Sequence, residues 1–433
     1  MGINGEGIAY YQRKPVFIPG AFVHETVDVS LKQGEGNYYE GTLNRLLLRS
    51  EERIRRKCPN SLCDGCPFIE MTYEAQLEYK TEIFKETLER YCDTENVLLN
   101  PVEENPLRHY RNMIKLPLTL KKGKITLGSF QNGSNRAIAI HECYVQDERL
   151  NSVADQVLQV LNADQCRLYQ RNKEEGLRYL LLRGFEEEYQ LTLVSSSQCL
   201  TDKTIEKLRE IKEIVSIYES AVTDRQPKTF FKKDIRHLYG RRKIKCRMGE
   251  YTFFLSPSAF FQLNIVQAEK MYRLAASYLE KGENVLDAYC GIGSMTLFLA
   301  ETAGKVTGVE NNYQAIADAK KNAEYNHINN VEFIAGDAAA KLKMLNKKTK
   351  FDTIVLDPPR SGLDDSMLDA LMDSGADKIV YVSCNPATLA KNLQILQNRY
   401  EVRETTPFDL FSETALIESV SYLKRKRGKG MHK

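Results

Sequence analysis

The sequence predicts a chain of the α/β class whose carboxyl-terminal half is a doubly wound, Rossmann-like parallel sheet. Three observations carry that expectation. From Asn284 onward, short β-branched runs alternate with helical patterns. The amino-terminal 50 residues hold strand-like runs split by glycine, the mark of a small β domain. Between them, residues 95–225 mix strand patterns with amphipathic helices, as in an α+β domain. The expected divisions are therefore 1–50, 51–225 and 226–433, the last ending in a basic tail.

In the first part, Val16–Val23 and Thr26–Leu31 read as strands. Small barrels of this kind often hold nucleic acid, although a structural appendage explains the pattern equally well. Next comes Cys58-Pro-Asn-Ser-Leu-Cys63-Asp-Gly-Cys66, whose spacing can converge three thiolates on one metal centre. Cys143, which ends a strand-like run in the same half of the chain, is the best fourth ligand; Cys92 is nearer but sits in the helical pattern of Tyr73–Tyr91 and ranks second. Spacing alone does not separate a structural four-cysteine zinc from an iron–sulfur cluster. Three unligated thiols so close together would oxidise readily.

Residues 95–225 scatter Arg108, Arg111, Lys115, Arg136 and Arg178 without a self-contained catalytic motif. A linker is expected at Asp224–Lys233, around Pro227. The aromatic run Phe260-Phe261-Gln262-Leu263-Asn264 contains an unusual polar insertion at Gln262. A core amide satisfying backbone groups would account for it as well as a ligand contact would.

In the last part, Asn284–Tyr289 reads as the first strand and Cys290-Gly291-Ile292-Gly293-Ser294 as a tight loop opening a helix. A dinucleotide fingerprint would need a third small residue where Thr296 stands, and no P-loop lysine is present. Two glycines preceded by Asp287 suit S-adenosylmethionine, with Glu310 at the end of strand two accepting the ribose hydroxyls and Asp337 near the adenine. Asp357-Pro358-Pro359-Arg360 is similar to the Asp-Pro-Pro-aromatic motif of amino-group methyltransferases, but Arg360 is not aromatic. Lys378–Ser383 reads as a buried strand that Asn385-Pro386 breaks before a helix. Cys384 then sits at a strand's carboxyl end beside a helix start, which favours thiolate; an inert buried cysteine is the alternative. Glu418 falls in the apolar run Ala415–Val420, where desolvation would raise its pKa unless it faces water on an edge strand.

Composition is that of a globular protein, 42% hydrophobic and 27% charged. With no bilayer-length apolar run and no secretory signal, the expected place is the cytoplasm, without membrane contact. Ten cysteines in so long a chain do not suggest a disulfide scaffold. Net charge is only +3, but basic clusters at 53–57, 228–247 and 424–433 fit a polyanionic partner.

Together these motifs resemble the RNA uracil-5-methyltransferase family, in its iron–sulfur 23S ribosomal RNA branch. The resemblance runs from the β domain and the cysteine loop through Gln262 and the glycine loop to Asp357–Gly362 and Ser383–Pro386. It implies a class I methyltransferase domain with an amino-terminal TRAM-like barrel and a central iron–sulfur domain. It also implies Cys384 as nucleophile and Glu418 as base. Gln262, Tyr289, Glu310 and Asp357 would line the cofactor and target-base site, and Cys58, Cys63, Cys66 and Cys143 would hold a 4Fe-4S cluster. The implied substrate is a uridine in a single-stranded loop of 23S rRNA, handled by a monomer. Alternatives are the tRNA T-loop uridine, amine methylation of nucleic acid, a non-catalytic RNA-binding role and, for the metal, structural zinc. The sequence departs from the family in a cysteine gap one residue short and in Leu416, where relatives commonly carry His. Its β domain also starts abruptly at Met1, as if lacking a first strand.

Overall fold

The structure, a computed structural model, describes residues 1–105, 108–131, 134, 136–169, 175–222, 230–231 and 235–426. Most of the expected linker around Pro227 and of the basic tail lies outside them. The chain gathers into two compact units, one of Met1–Arg55, Pro67–Pro106 and Val266–Lys433, the other of Arg56–Cys66 and Leu107–Ile265. No described helix is long and apolar enough to cross a membrane.

The first unit begins with β1 (Gly7–Tyr11), β2 (Lys14–Ile18), β3 (Thr26–Gln33) and β4 (Tyr39–Leu48). They form one sheet in the order β1-β2-β4-β3 over a small core of Val16, Ile18 and Ala21. The strand expected over Val16–Val23 stops at Ile18, because Pro19 precedes Gly20 at φ 82°, a left-handed turn that a strand cannot continue through. Helix α1 (Tyr73–Glu89) is capped by Thr72, whose hydroxyl accepts from Ala75 N. Its buried face includes Ala75, Gln76, Tyr79, Lys80, Ile83 and Phe84, at helical spacing. Strand β5 (Leu98–Leu99) follows.

The second unit contains β6 (Met113–Lys121), β7 (Lys124–Phe130), β8 (Ala137–Ala139), α2 (Glu148–Ala163), β9 (Leu177–Phe185), β10 (Glu188–Ser195), α3 (Asp202–Arg209), β11 (Ile214–Ala221) and β12 (Ile235–Gly240). Seven strands pair in the order β12-β11-β10-β9-β6-β7-β8, with α2 and α3 packed on the leucine-rich face. The hairpin β13 (Ile244–Met248) and β14 (Tyr251–Leu255) leads to the Gln262 segment.

The chain then returns to the first unit with α4 (Ile265–Ser277), β15 (Asn284–Ala288), α5 (Ser294–Ala300), β16 (Lys305–Glu310), α6 (Tyr313–Tyr325), β17 (Val331–Ala335), α7 (Ala338–Leu345) and β18 (Thr353–Leu356). It ends with α8 (Asp365–Ser374), β19 (Lys378–Ser383), α9 (Pro386–Leu396), β20 (Tyr400–Phe408) and β21 (Glu418–Arg425). The sheet order is β17-β16-β15-β18-β19-β21-β20-β5. Strands β15 to β19 run parallel, while β21 is antiparallel to both of its neighbours. The order reverses at β15, so the crevice at the carboxyl ends of β15 and β18 is where such sheets receive ligands.

Candidate active site

The loop after β15 has one packed side and one open side. At Gly293 (φ 80°) a Cβ would stand 3.0 Å from the Phe333 ring, whereas at Gly291 (φ 56°) it would meet nothing within 4 Å. Tyr289, at φ 69°, also holds the left-handed conformation, a strained choice for an aromatic residue. Glu310, ending β16, accepts from Gly291 N at 3.3 Å and from Asn312 N at 2.8 Å, so its carboxylate braces the glycine loop. Asp337 is exposed and caps α7, accepting from Ala340 N at 2.9 Å; burial, with the charges of Asp364 and Asp337, pushes the Tyr289 phenol up to about 12.

Asp287 is fully buried at the end of β15. Thr296 Oγ1 donates to its Oδ2 at 2.6 Å, while Oδ1 accepts no hydrogen bond among the described residues. Burial, with the charges of Asp357 and Glu310, pushes this acid up to about 7. The sequence offered a signal, an acid shortly before a two-glycine loop, but not the orphaned oxygen.

At the next two strand ends the candidate chemical groups converge. Strands β19 and β21 are paired from Lys378↔Lys424 to Ser383↔Ser419, so one further step of the same register sets Cys384 opposite Glu418. Strand β21 lies between β19 and β20, so Glu418 is not on an edge; it is 7% exposed. Burial and the neighbouring Asp357 hold its pKa well above the usual carboxylate range, with Arg360 acting in the opposite sense. Asp357 is raised to about 7 by burial alone.

The expectation that a helix start would favour the Cys384 thiolate is corrected here. Burial first, then the charges of Glu418 and Asp357, push the thiol up to about 11, against a weaker lowering by Arg360. The helix start has little to offer, because the Asn385 side chain already accepts from Ala387 N and Pro386 contributes no N–H. The Arg360 backbone is anchored, its carbonyl accepting from Asn385 Nδ2 at 3.2 Å, and Asn392 Oδ1 accepts from both Leu363 N and Tyr381 OH. Arg360 entered the sequence reading only as a departure from an aromatic motif; its charge acting on the sulfur emerges from the fold.

Gln262 belongs to the second unit, where it is buried, and its carbonyl accepts from Asn112 Nδ2 at 2.9 Å. The four cysteines also lie in that unit. Asn60 ties their loop to the segment before Cys143, accepting from His141 N and donating to Glu142 O, both at 2.9 Å. Asn151 brackets Cys143, accepting from its N–H and donating to its carbonyl. Burial pushes Cys66 up to about 12; Arg111 opposes this, while nearby Cys143, Cys63 and Cys58 add to it. Among the described residues, no group of three or more His, Cys, Asp or Glu stands arranged to hold a metal ion. Cys92 lies in the first unit and donates to the Ala390 carbonyl at 3.2 Å.

The sequence profile of the tRNA (Uracil-5-)-methyltransferase family matches residues 72–426. A Clostridium tetani protein described as an uncharacterized RNA methyltransferase is 34% identical over 435 residues, 97% of this chain and 94% of its own. A protein so described from Oceanobacillus iheyensis is 34% identical over 437 residues, 98% of this chain and 94% of its own. The crystal structure of Pyrococcus abyssi tRNA (uracil-54, C5)-methyltransferase with S-adenosyl-L-homocysteine superposes with a TM-score of 0.76 at 25% identity, covering 97% of this chain and 98% of that one.

Proposed function

The chain belongs to the tRNA (uracil-5-)-methyltransferase family and is an S-adenosylmethionine-dependent RNA methyltransferase; from that premise we propose that it methylates carbon 5 of a uridine in a single-stranded loop of 23S ribosomal RNA through a covalent bond from Cys384. The observation that carries the chemistry is the register that sets Cys384 across from Glu418, with Asp357 and Arg360 in electrostatic reach.

Three features fit S-adenosylmethionine: the open space at Gly291, the unpartnered Asp287 Oδ1 suited to an ammonium, and the Glu310 carboxylate at the end of β16. That cofactor supplies an electrophilic methyl group on a sulfonium. Carbon 5 of uracil is too weak a nucleophile to take it unaided. Cys384 Sγ adds to carbon 6, making carbon 5 enolate-like, and carbon 5 then takes the methyl. Glu418, kept basic by burial, removes the remaining proton from carbon 5. The carbon 6–sulfur bond breaks and the ring double bond re-forms. Asp357 is assigned to the base edge and Arg360 offsets charge on the sulfur; Tyr289 and Asp337 flank the cofactor loop. A target base must leave its stack to enter such a site.

Four thiolates are the donor set of an iron–sulfur centre, and the Cys66 and Cys143 thiols, pushed up by burial and by neighbouring cysteines, would be relieved by a cationic centre. Cys58, Cys63, Cys66 and Cys143 would hold a 4Fe-4S cluster; its role would be structural or RNA-positioning, since methyl transfer moves no electrons. Zinc is the alternative occupant. This cysteine set supports the 23S rRNA reading, whereas the family's name and the P. abyssi enzyme's tRNA substrate favour a second reading, the tRNA T-loop uridine. Tritium release from carbon-5-labelled uracil, measured on 23S rRNA fragments and on tRNA transcripts, decides between them. Release in the Cys384→Ala variant at the wild-type rate would end the covalent reading.

A further inference from the structure

The connection between β20 and β21 is buried, which loops seldom are. It leaves β20 at Phe408 and re-enters the sheet at Glu418, and those two residues form the last cross-strand pair. The polar groups inside it are met by one stripe of α1, where Tyr73, Gln76 and Lys80 share a face. Lys80 Nζ donates to Asp409 Oδ1 at 2.5 Å with both side chains fully buried, and to Phe411 O at 3.2 Å. Tyr73 OH donates to Asp409 Oδ2 at 2.9 Å. Gln76 and Glu413 bond reciprocally, Nε2 to Oε2 and N to Oε1, both at 2.9 Å, and Glu413 is held at φ 68°.

A fully buried ion pair is poor value for stability alone, since apolar residues of like volume often do as well. What it does supply is one conformation. We propose that Lys80 and Asp409, with Tyr73 and the Gln76–Glu413 clasp, are positioning residues that hold segment 409–417 so that the Glu418 carboxylate points at the carbon-5 proton. The proposal rests on the covalent reading given above. It adds that the base is aimed from α1, not only by strand pairing.

The test compares wild type, Lys80→Met, Lys80→Met/Asp409→Asn, Tyr73→Phe and Glu418→Gln on total RNA from cells lacking the enzyme, with S-adenosylmethionine. Glu418→Gln is the control for the base step and should accumulate an SDS-resistant protein–RNA adduct. Lys80→Met leaves a lone buried carboxylate and should lose melting temperature. The double variant removes both charges and should regain most of it. Its adduct should nevertheless resolve roughly 10- to 100-fold slower than wild type, the cost of an ångström-scale misplacement of a catalytic group. Tyr73→Phe should show the same slowing in smaller measure, and S-adenosylmethionine affinity by calorimetry should be unchanged in both. Should the double variant and Tyr73→Phe both resolve the adduct at the wild-type rate, the network only supports the fold and the proposal fails. If instead Glu418→Gln forms no adduct and Cys384→Ala still turns over, the covalent reading itself has failed.

Discussion

Cys384 should titrate late, and that can be measured without RNA. With the thiol at about 11, its thiolate fraction at pH 8 is on the order of 10⁻³. Iodoacetamide reacts with the thiolate, so modification of the peptide carrying Cys384, followed by mass spectrometry, should accelerate about tenfold per pH unit between 7 and 10. The structure also names the cause. Cross-strand partners stand about 5 Å apart, where two like unit charges at an effective dielectric of about 20 repel by about 3 kcal/mol, or roughly two pH units. Solvent at the partly exposed sulfur screens this to about one unit. Glu418→Gln should therefore be alkylated at pH 8 about tenfold faster than wild type. Arg360→Met removes the charge acting in the other direction and should be slower. A rate that levels off below pH 8, or a Glu418→Gln variant no faster than wild type, would refute the account of burial and carboxylate charge.

Cys384→Ala should abolish methyl transfer while S-adenosylmethionine binding by calorimetry persists. Asp287→Asn should weaken that binding about 10- to 100-fold, the range expected when a buried charge-assisted hydrogen bond is lost, and wild-type affinity should decline as pH falls below about 7, where Asp287 takes up a proton. Without cofactor the sign reverses for stability: Asp287 and Asp357 bind more protons folded than unfolded, so melting temperature should rise as pH drops from about 7 toward 5, and a flat profile would count against their burial. Gly291→Ala should cost the apo fold only about 1 kcal/mol, since its Cβ meets open space, yet should impair cofactor binding more than Thr296→Ser, as thermal shift can read. Protein purified without oxygen should be brown, with iron and sulfide near four per chain; colourless protein with one zinc would replace the cluster.

The parallel half of the fold was legible because each strand is a continuous β-branched run ending in punctuation, Asp287-Ala-Tyr-Cys-Gly or Ser383-Cys-Asn-Pro. The final strand–loop–strand was legible too, but not that β21 would insert between β19 and β20, which is a matter of pairing and not of pattern. That insertion decides whether Glu418 faces water or the interior. Lys80 was illegible for a related reason. A lysine on the apolar face of an amphipathic helix reads as a snorkelling side chain, and its partner Asp409 lies 329 residues away. The raised Cys384 thiol is not legible in sequence because a helix start is visible there, whereas two carboxylates arriving from the ends of β18 and β21 are not.

The raised thiol has a consequence for when the nucleophile is available. Relative to an ordinary cysteine near 8.5, a midpoint of about 11 lowers the thiolate population at pH 7.5 roughly 300-fold. Greater basicity returns only about tenfold in intrinsic nucleophilicity, given a Brønsted slope near 0.45. The free enzyme should therefore be slower by about 20- to 30-fold toward soft electrophiles and oxidants than a solvated cysteine. Under the proposed covalent reading, sulfur addition to uracil would be driven by what the substrate brings, a planar ring that accepts negative charge on its oxygens. The thiol's protection at rest thus follows from one arrangement, burial and two acids, opposed by one arginine, around a partly buried sulfur.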